Sequence, residues 1–243
     1  FTASIISNYN QKNIYYSYGL SLLTLTLIII LLLNQPDIGQ SILLIATWIS
    51  VIFVSGVKIY YLIIVSFFLL LISGLLLILL PEKFGYIIQR LQVFYDPAKG
   101  DSFQTEKALA AIKQGGLKGQ GMGEGVLKES VPEAHTDYII AVISEEYGSI
   151  ISLLVICIFL YISYRIVKTC LYSTDNNLKI SLCGLSSLLI FQTFIHVGVN
   201  TSLLPTTGMT LPFLSYGGSS LIGSSILAGV ILNYTKKRFD NEK

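Results

Sequence analysis

The sequence has little charge, few cysteines and no strong excess of charge of either sign. Charged residues make up 12% of its 243 residues, whereas soluble domains contain about 25%, so a soluble fold could not cover its surface. Three cysteines at no metal-like spacing exclude a disulfide-rich secreted domain. The net charge of +2 gives no reason to expect a nucleic acid partner. The chain opens with neither an initiator methionine nor a basic stretch before a cleavage site, so we expect no signal peptide.

Long apolar runs dominate instead, with 53% hydrophobic residues and a mean hydropathy of +0.69. A helix needs about 20 mostly apolar residues to cross a bilayer. Five or six segments qualify: 18–34, 40–57, 59–80, 138–164, 180–200 and 211–234. Pro36 and Gly39 join the first two as a tight hairpin. The sequence therefore predicts an all-α, polytopic membrane bundle of about six transmembrane helices, with residues 81–137 as a long loop outside the membrane.

Lysine and arginine are unevenly distributed between the two ends of these segments. One side carries Lys12, Lys58, Arg165, Lys168, Lys179, Lys236, Lys237, Arg238 and Lys243. The opposite short loops, 35–39 and 201–210, contain none. Because short cytoplasmic loops are enriched in lysine and arginine, we expect the basic side and the C-terminus to be cytoplasmic. The long loop then lies on the outer face.

The long loop contains two helical patterns and a glycine-rich segment. Apolar residues at helical spacing over 84–94 predict an amphipathic helix in the headgroup layer. A second helix is predicted over 104–114, with Leu109 and Ile112 facing the protein. Glycine then occupies six of the eleven positions of 115–125. This segment is either a flexible turn or backbone that approaches a ligand or a helix end closely, and its spacing matches no nucleotide-binding motif.

Three ionisable residues, Glu133, His135 and Asp137, cluster directly before the apolar run that starts at Tyr138. Three interpretations of this cluster stand side by side: catalysis by the Asp137 carboxylate, capping of the following helix by Thr136 or Asp137, or metal ligation. A general base that works near neutrality needs a raised pKa, whereas a helix N-terminus lowers the pKa of a carboxylate. Partial burial would raise it again.

Further polar residues fall inside the apolar segments. Glu145 and Glu146 lie about two turns beyond Asp137, which puts Glu145 on roughly the same helix face as Asp137; alternatively, both glutamates lie at the membrane interface. Gln192, His196 and Asn200 form a stripe at a spacing of four residues. Such a stripe indicates either interhelical hydrogen bonds or a proton relay or transport path.

Two prolines and several small residues interrupt the last apolar region between Asn200 and Ser220. Non-helical backbone at membrane depth is tolerated only where protein or a wet cavity satisfies it. This pattern predicts a re-entrant or broken helix, and Ser215 and Tyr216 are candidates for lining the cavity.

The sequence resembles the SEDS family (shape, elongation, division and sporulation), which includes the FtsW, RodA and SpoVE proteins. The matching motifs are Gln35-Pro36-Asp37-Ile38-Gly39, Arg90 with Asp96-Pro97, the glycine-rich segment 115–123, Pro132-Glu133-Ala134-His135-Thr136-Asp137-Tyr138, Glu145-Glu146 with Gly148, Leu204-Pro205-Thr206-Thr207-Gly208 and Ser215-Tyr216-Gly217-Gly218-Ser219-Ser220. They occur in family order over nearly the whole chain. The alanine at position 134 is more typical of the division branch, that of FtsW, than of the elongation branch.

The resemblance implies a peptidoglycan glycosyltransferase that polymerises lipid II, an undecaprenyl-pyrophosphate-linked disaccharide-pentapeptide, at the outer face of the bacterial cytoplasmic membrane. The family's catalytic carboxylate falls on Asp137. Candidates for binding the pyrophosphate or the headgroup are Arg90, Lys118, Lys128, Glu133 and His135. Candidates for lining the cavity are Glu145, Gln192, His196, Asn200, Ser215 and Tyr216.

The resemblance also implies partners and a larger fold. The expected partner is a class B penicillin-binding protein, a transpeptidase, together with other division proteins at the septum. A divalent metal, Mg²⁺ or Mn²⁺, is a candidate cofactor. Complete members have ten spanning helices, so we expect residues 1–243 to be the C-terminal part of one SEDS-type membrane domain that lacks its N-terminal helices.

Two other functions fit the same residues. A flippase or another transporter of a lipid-linked precursor would use the broken helix and the polar stripe as a path. A non-catalytic division scaffold would tolerate the loss of the Asp137 carboxylate. The position of the essential groups separates these functions, because a transporter needs them near the midplane and a transferase needs them on the outer rim.

Overall fold

A computed structural model describes residues 1–8, 14–79, 81–96 and 103–236. Within these residues the chain forms ten α-helices: α1 (Thr2–Asn8), α2 (Ile14–Asn34), α3 (Ile38–Val54), α4 (Ile59–Leu79), α5 (Pro81–Tyr95), α6 (Phe103–Gly115), α7 (Ile139–Tyr147), α8 (Ser149–Tyr172), α9 (Asn176–Asn200) and α10 (Gly218–Thr235). A short 3₁₀ helix covers Leu127–Ser130. The predicted features at Lys12, Leu80, Pro97, Lys237, Arg238 and Lys243 lie outside the described residues.

The prediction of an all-helical membrane protein is confirmed. Three helices are long and apolar enough to cross a membrane, namely Tyr16–Asn34 within α2, α8 and α9. Two shorter apolar helices are α3 and the Ile59–Leu69 part of α4. Asp37 lies in the short connection between α2 and α3: its amide donates to the carbonyl of Leu32 in α2 at 3.1 Å, and its carboxylate accepts the amide of Gln40 at 3.0 Å and caps α3.

Two of the six predicted segments are divided differently from the prediction. The segment 138–164 is not one helix, because Gly148 interrupts it and separates α7 from α8. Gly148 adopts φ +87°, a conformation that side chains disfavour. The segment 211–234 is helical only from Gly218 onward, and the backbone from 201 to 217 is non-helical. The predicted break in this region is thus present, and it is longer than one kink.

α9 is the central helix of the bundle. It packs against α1, α3, α8 and α10 along its length, and half of its apolar window is buried. Close contact with α3 is possible because α9 carries Gly184, where a side chain would collide with Val51. The C-terminal end of α9 reaches α6 and α7, which belong to the segment around the candidate site.

α6 faces the protein with small residues. Ala108 and Ala111 are fully buried, and a Cβ on Gly115 would overlap the carbonyl of Ser144 in α7. Leu109 and Ile112 are partly buried, and Ile112 packs against the hydrophobic core, but the fully buried positions of α6 are Ala108 and Ala111. Helices approach this closely only through small side chains, which places α7 directly against the backbone of α6.

The glycine-rich segment packs against the C-terminal end of α7. The amides of Gln120 and Gly121 donate to the carbonyls of Glu145 and Glu146 at 2.8 and 3.0 Å. The last carbonyls of a helix have no partner within the helix, so the loop provides it. The structure therefore agrees with the interpretation that this backbone approaches a helix end closely, and not with a flexible turn.

We predict that Gly119→Ala destabilises the fold more than Gly123→Ala. Both glycines have nearly the same φ, +81° and +82°, so both substitutions carry the cost of a left-handed residue, about 1 kcal/mol or more. At Gly119 alone a Cβ would also collide with the backbone carbonyl of Glu146, whereas Gly123 has nothing within 4 Å. Thermal unfolding in detergent measures the difference, and equal melting temperatures would contradict the packing described here.

Candidate active site

Asp137 lies at the end of a tight turn that precedes α7. The amides of Thr136, Asp137 and Tyr138 all point to the carbonyl of Glu133, at 3.1, 3.0 and 3.3 Å. Glu133 itself has φ +56°, a rare conformation for a residue other than glycine. This turn sets Asp137 just outside the helix, with a partly buried side chain.

Neither Asp137 nor Thr136 caps α7. The N-cap position of α7 is Tyr138, and no side chain makes a capping hydrogen bond there. The hydroxyl of Thr136 donates instead to the carboxylate of Glu133 at 2.7 Å. Among the described residues, no donor is hydrogen-bonded to the Asp137 carboxylate, so this group is available to accept a proton.

Three segments far apart in sequence surround this carboxylate. A Cβ on Gly208 would lie 3.6 Å from Asp137 Oδ2, so the loop after α9 forms one wall. Arg90 of α5 holds the same loop, because its Nη1 donates to the carbonyl of Thr206 at 3.1 Å. The α2–α3 hairpin contacts the loop as well, where a Cβ on Gly39 would come within 2.9 Å of the carbonyl of Thr207.

The environment of Asp137 raises the pKa of its carboxyl group above the ordinary value of 3.8. Burial is the largest cause, and the negative charge of Glu133 adds to it. The guanidinium of Arg90 lowers the pKa, and Asp37 raises it slightly. From the sequence, a helix terminus could lower this pKa and partial burial could raise it. In the structure burial is the larger effect, so the pKa is raised.

The polar stripe of α9 holds non-helical backbone in place. Gln192 Nε2 donates to the carbonyl of Thr210 at 2.9 Å, and His196 Nδ1 donates to that of Met209 at 2.7 Å. Asn200 bonds to the backbone of Asp137 and Ala141. The stripe therefore makes hydrogen bonds, as its first interpretation predicts, but only the bond to Ala141 joins two helices, and the others hold non-helical backbone.

Ser215 and Tyr216 join the loop after α9 to the turn before α7. Ser215 Oγ donates to the carbonyl of Thr136 at 2.6 Å and accepts the amide of Leu211 at 2.8 Å. The amide of Tyr216 donates to the carbonyl of His135 at 2.8 Å. The Tyr216 side chain is 78% exposed, so only the backbone of this residue supports the turn.

Three predicted site residues, Glu145, Lys128 and Lys118, lie at the opposite end of α7. Glu145 is fully buried and accepts the amides of Leu127 and Lys128, both at 2.8 Å. Glu146 forms an ion pair with Lys128. Lys118 is exposed on the turn over the same helix end. A nine-residue helix is about 13 Å long, so these groups are not brought to Asp137.

Some of the predicted site residues lie near Asp137, and others lie at the far end of α7. Arg90 and Glu133 are close enough to Asp137 to shift its pKa, and His135 lies exposed on the same turn. The expectation that Glu145 shares a face with Asp137 was wrong, because its carboxylate is directed at the loop 127–128. Asp37 was missed as a site residue. Its motif was interpreted only as a hairpin, and nothing in the sequence links it to a residue one hundred positions later.

The carboxylates of Asp37, Glu133 and Asp137 share one electrostatic environment. Even so, nowhere in the described part of the chain do three histidine, cysteine, aspartate or glutamate side chains converge closely enough to hold a metal ion.

Comparisons with known proteins point to one family. The model of the family of FtsW, RodA and SpoVE, described as "Cell cycle protein", matches residues 1–239. The chain is 36% identical over 208 residues to a Caulobacter vibrioides protein named "Probable peptidoglycan glycosyltransferase FtsW", covering 86% of this chain and 52% of that protein. It is 36% identical over 208 residues to the "Stage V sporulation protein E" of Bacillus subtilis, covering 85% and 57%.

Solved structures share the fold. A chain from a peptidoglycan synthase complex that coordinates polymerization and crosslinking superposes with a TM-score of 0.76 and 24% identity, covering 99% of this chain and 67% of that one. RodA of Thermus thermophilus gives a TM-score of 0.63 and 23% identity, covering 99% and 62%. The chain spans between half and two thirds of the length of the Caulobacter and Bacillus relatives.

We predict that substitutions beside Asp137 shift its pKa in opposite directions. Glu133→Gln removes a negative neighbour and lowers the pKa, whereas Arg90→Gln removes a positive neighbour and raises it. Arg90→Lys keeps the charge and serves as the control with a small shift. Infrared difference titration, with Asp137→Asn to assign the carboxyl band, measures all three. Shifts of the same sign for Glu133→Gln and Arg90→Gln would contradict this account of the site.

Proposed function

The chain belongs to the family of cell cycle proteins that comprises FtsW, RodA and SpoVE, and we propose that it acts as a peptidoglycan glycosyltransferase of cell division. The substrate is lipid II, and the product is a glycan strand at the outer face of the cytoplasmic membrane. The observation that carries this proposal is the Asp137 carboxylate, which is partly buried, raised in pKa and close to Arg90. Relatives named as peptidoglycan glycosyltransferases support it.

In this reaction Asp137 is the general base. Its carboxylate takes the proton from the 4-hydroxyl of the acceptor GlcNAc as the hydroxyl oxygen bonds to the anomeric carbon of the donor MurNAc. The bond between that carbon and the pyrophosphate oxygen breaks, and undecaprenyl pyrophosphate leaves with the electron pair. A general base of this kind contributes about 10²- to 10⁴-fold to the rate, and burial brings its pKa closer to the working pH.

The leaving pyrophosphate needs positive charge, because negative charge develops there in the transition state. Arg90 is the basic residue that best fits this role, since it lies within electrostatic range of Asp137. Lys128 is engaged with Glu146, and Lys118 lies near the far end of α7, so both are weaker candidates. Glu133 and His135 remain candidates for contacts with the sugar headgroup. Mg²⁺ or Mn²⁺ remains a candidate cofactor, and no step is derived through it.

The helices long enough to cross a membrane, together with the relatives of the chain, support a location in the cytoplasmic membrane. We propose that it acts at the division septum with the C-terminus in the cytoplasm, as the distribution of basic residues favours. A class B penicillin-binding protein is the proposed partner. The fold shared with a chain of a peptidoglycan synthase complex supports a synthase in which polymerisation and crosslinking are coupled.

A flippase is the second candidate, and the polar groups of α9 argue against it. His196 and Asn200 are fully buried and engaged with backbone groups, so they do not line an open polar path. A large cavity of about 920 Å³ between α3, α4, α8 and α9 is lined mainly by apolar side chains. A polar headgroup would find few partners there.

We predict that this chain, reconstituted with lipid II and its cognate transpeptidase, produces glycan strands. Asp137→Asn keeps the shape of the side chain and removes its basicity, so polymerisation is expected to fall about 10²- to 10⁴-fold. Separation of the glycan products by gel electrophoresis measures the loss. Glu124→Gln makes the same carboxylate-to-amide change at an exposed residue of the glycine-rich segment, so it is the matched control and is expected to keep nearly full activity.

Other outcomes support the other functions. Equal glycan yields from the unmodified chain and from Asp137→Asn would eliminate Asp137 as the base. Transport of a fluorescent lipid-linked precursor across vesicles without polymer formation would favour the flippase. Restored division in cells that carry Asp137→Asn would favour a non-catalytic scaffold.

A further inference from the structure

We infer that Asn200 is a positioning residue for Asp137, acting through a side-chain bridge that replaces one backbone hydrogen bond of a helix. This inference rests on the proposed function, because it concerns the step in which the Asp137 carboxylate accepts a proton. Asn200 is the last residue of α9, and it is fully buried. No charge lies on this side chain, so its influence on the reaction is geometric.

The Asn200 amide occupies the place of a backbone hydrogen bond. If α7 continued one residue further toward the N-terminus, the carbonyl of Asp137 would accept the amide of Ala141, four residues later. In the structure Asn200 Oδ1 accepts the Ala141 amide at 3.1 Å, and Asn200 Nδ2 donates to the Asp137 carbonyl at 2.9 Å. The side chain therefore bridges the two groups that a regular helix would join directly.

This bridge explains how Asp137 can lie beside a helix without capping it. The amide of Ala141 also reaches the carbonyl of Tyr138 at 2.9 Å, so the first turn of α7 closes without Asp137. Within the described residues no other donor reaches the Asp137 carbonyl. Asn200 thus fixes the backbone of Asp137 outside the helix, and the carboxylate stays free of the amides that would lower its pKa.

A second bond fixes the bridge itself. Asn200 Nδ2 also donates to the carbonyl of His196 at 2.9 Å, and His196 is in turn bonded to Met209. Both amide hydrogens and the oxygen of Asn200 are therefore engaged, which leaves the side chain a single orientation. Met209 is the neighbour of Gly208, which lies against the Asp137 carboxylate. One chain of bonds therefore connects both the backbone of Asp137 and a wall of its site to α9.

The experiment measures kcat and KM for lipid II with the reconstituted protein and its transpeptidase. Asn200→Ala and Asn200→Asp remove the donors to the Asp137 carbonyl. A displacement of about 1 Å can cost about 10²-fold in rate, so we expect kcat to fall about 10- to 100-fold. KM is expected to stay within about twofold, because positioning acts on the base and not on substrate binding.

Thr193→Val is the matched control. Thr193 is buried on the same helix, and its hydroxyl donates only to the carbonyl of Leu189 within α9. The variant is expected to keep kcat and KM. A kcat for Asn200→Ala equal to that of Thr193→Val, or a rise in KM at constant kcat, would overturn the positioning role while the glycosyltransferase function stands.

Hydrogen exchange of the 137–147 peptide separates the inference from the proposed function, because it needs no activity. Loss of the bridge should speed exchange of the first amides of α7 several-fold in Asn200→Ala and leave them unchanged in Thr193→Val. If exchange is unaffected, the bridge is not what holds Asp137. If exchange rises while the unmodified protein forms no glycan, the proposed function fails and the positioning of Asp137 by Asn200 stands as a structural result.

Discussion

The arrangement of this protein depends on how it satisfies the peptide groups of non-helical backbone inside a helical bundle. Between Thr201 and Gly217 the chain cannot use helical hydrogen bonds, and unpaired peptide groups are costly in a membrane protein. α9 supplies the partners from its own side chains, with Gln192 and His196 bonded to the carbonyls of Thr210 and Met209. Because Gln192 precedes the end of α9 by eight residues, the loop descends about 12 Å along the helix before it returns to the turn before α7.

Much of this fold follows from local sequence patterns. Apolar length predicts the spanning helices, and helical periodicity over 84–94 predicts the helix that appears as α5 (Pro81–Tyr95). Prolines and small residues predict the break after Asn200. A spacing of four residues predicts that Gln192, His196 and Asn200 share one face, and membrane physics favours hydrogen bonding for such a face. These inferences succeed because each depends on neighbours in the sequence or on one helix.

The remaining features depend on contacts between distant segments. The helix is interrupted at Gly148 because the glycine-rich loop, about thirty residues earlier in the sequence, packs against the C-terminal end of α7. The amide of Ser149, the residue after Gly148, donates to the carbonyl of Gly116 in this loop at 2.9 Å. Glu145 turns away from Asp137 for the same reason, since two loop amides bind it. Asp37 reaches the site through the hairpin. Residue type alone does not determine which carboxylates share a pocket, whereas packing does.

The short helix α7 shows why the site needs both the loop and α9. Nine residues are too few to form a stable helix in isolation, so α7 is held by what surrounds it. The glycine-rich loop binds its C-terminal carbonyls, α6 packs against its side through Gly115, and Asn200 secures its first turn. Asp137 lies at the other end, where Ser215 and the Tyr216 amide hold the preceding turn, and among the described residues Asn200 is the one donor to the Asp137 carbonyl. A general base must hold its position to a fraction of an ångström, and the geometry of Asp137 is therefore sensitive to Asn200 in a way that the buried far end of α7 is not.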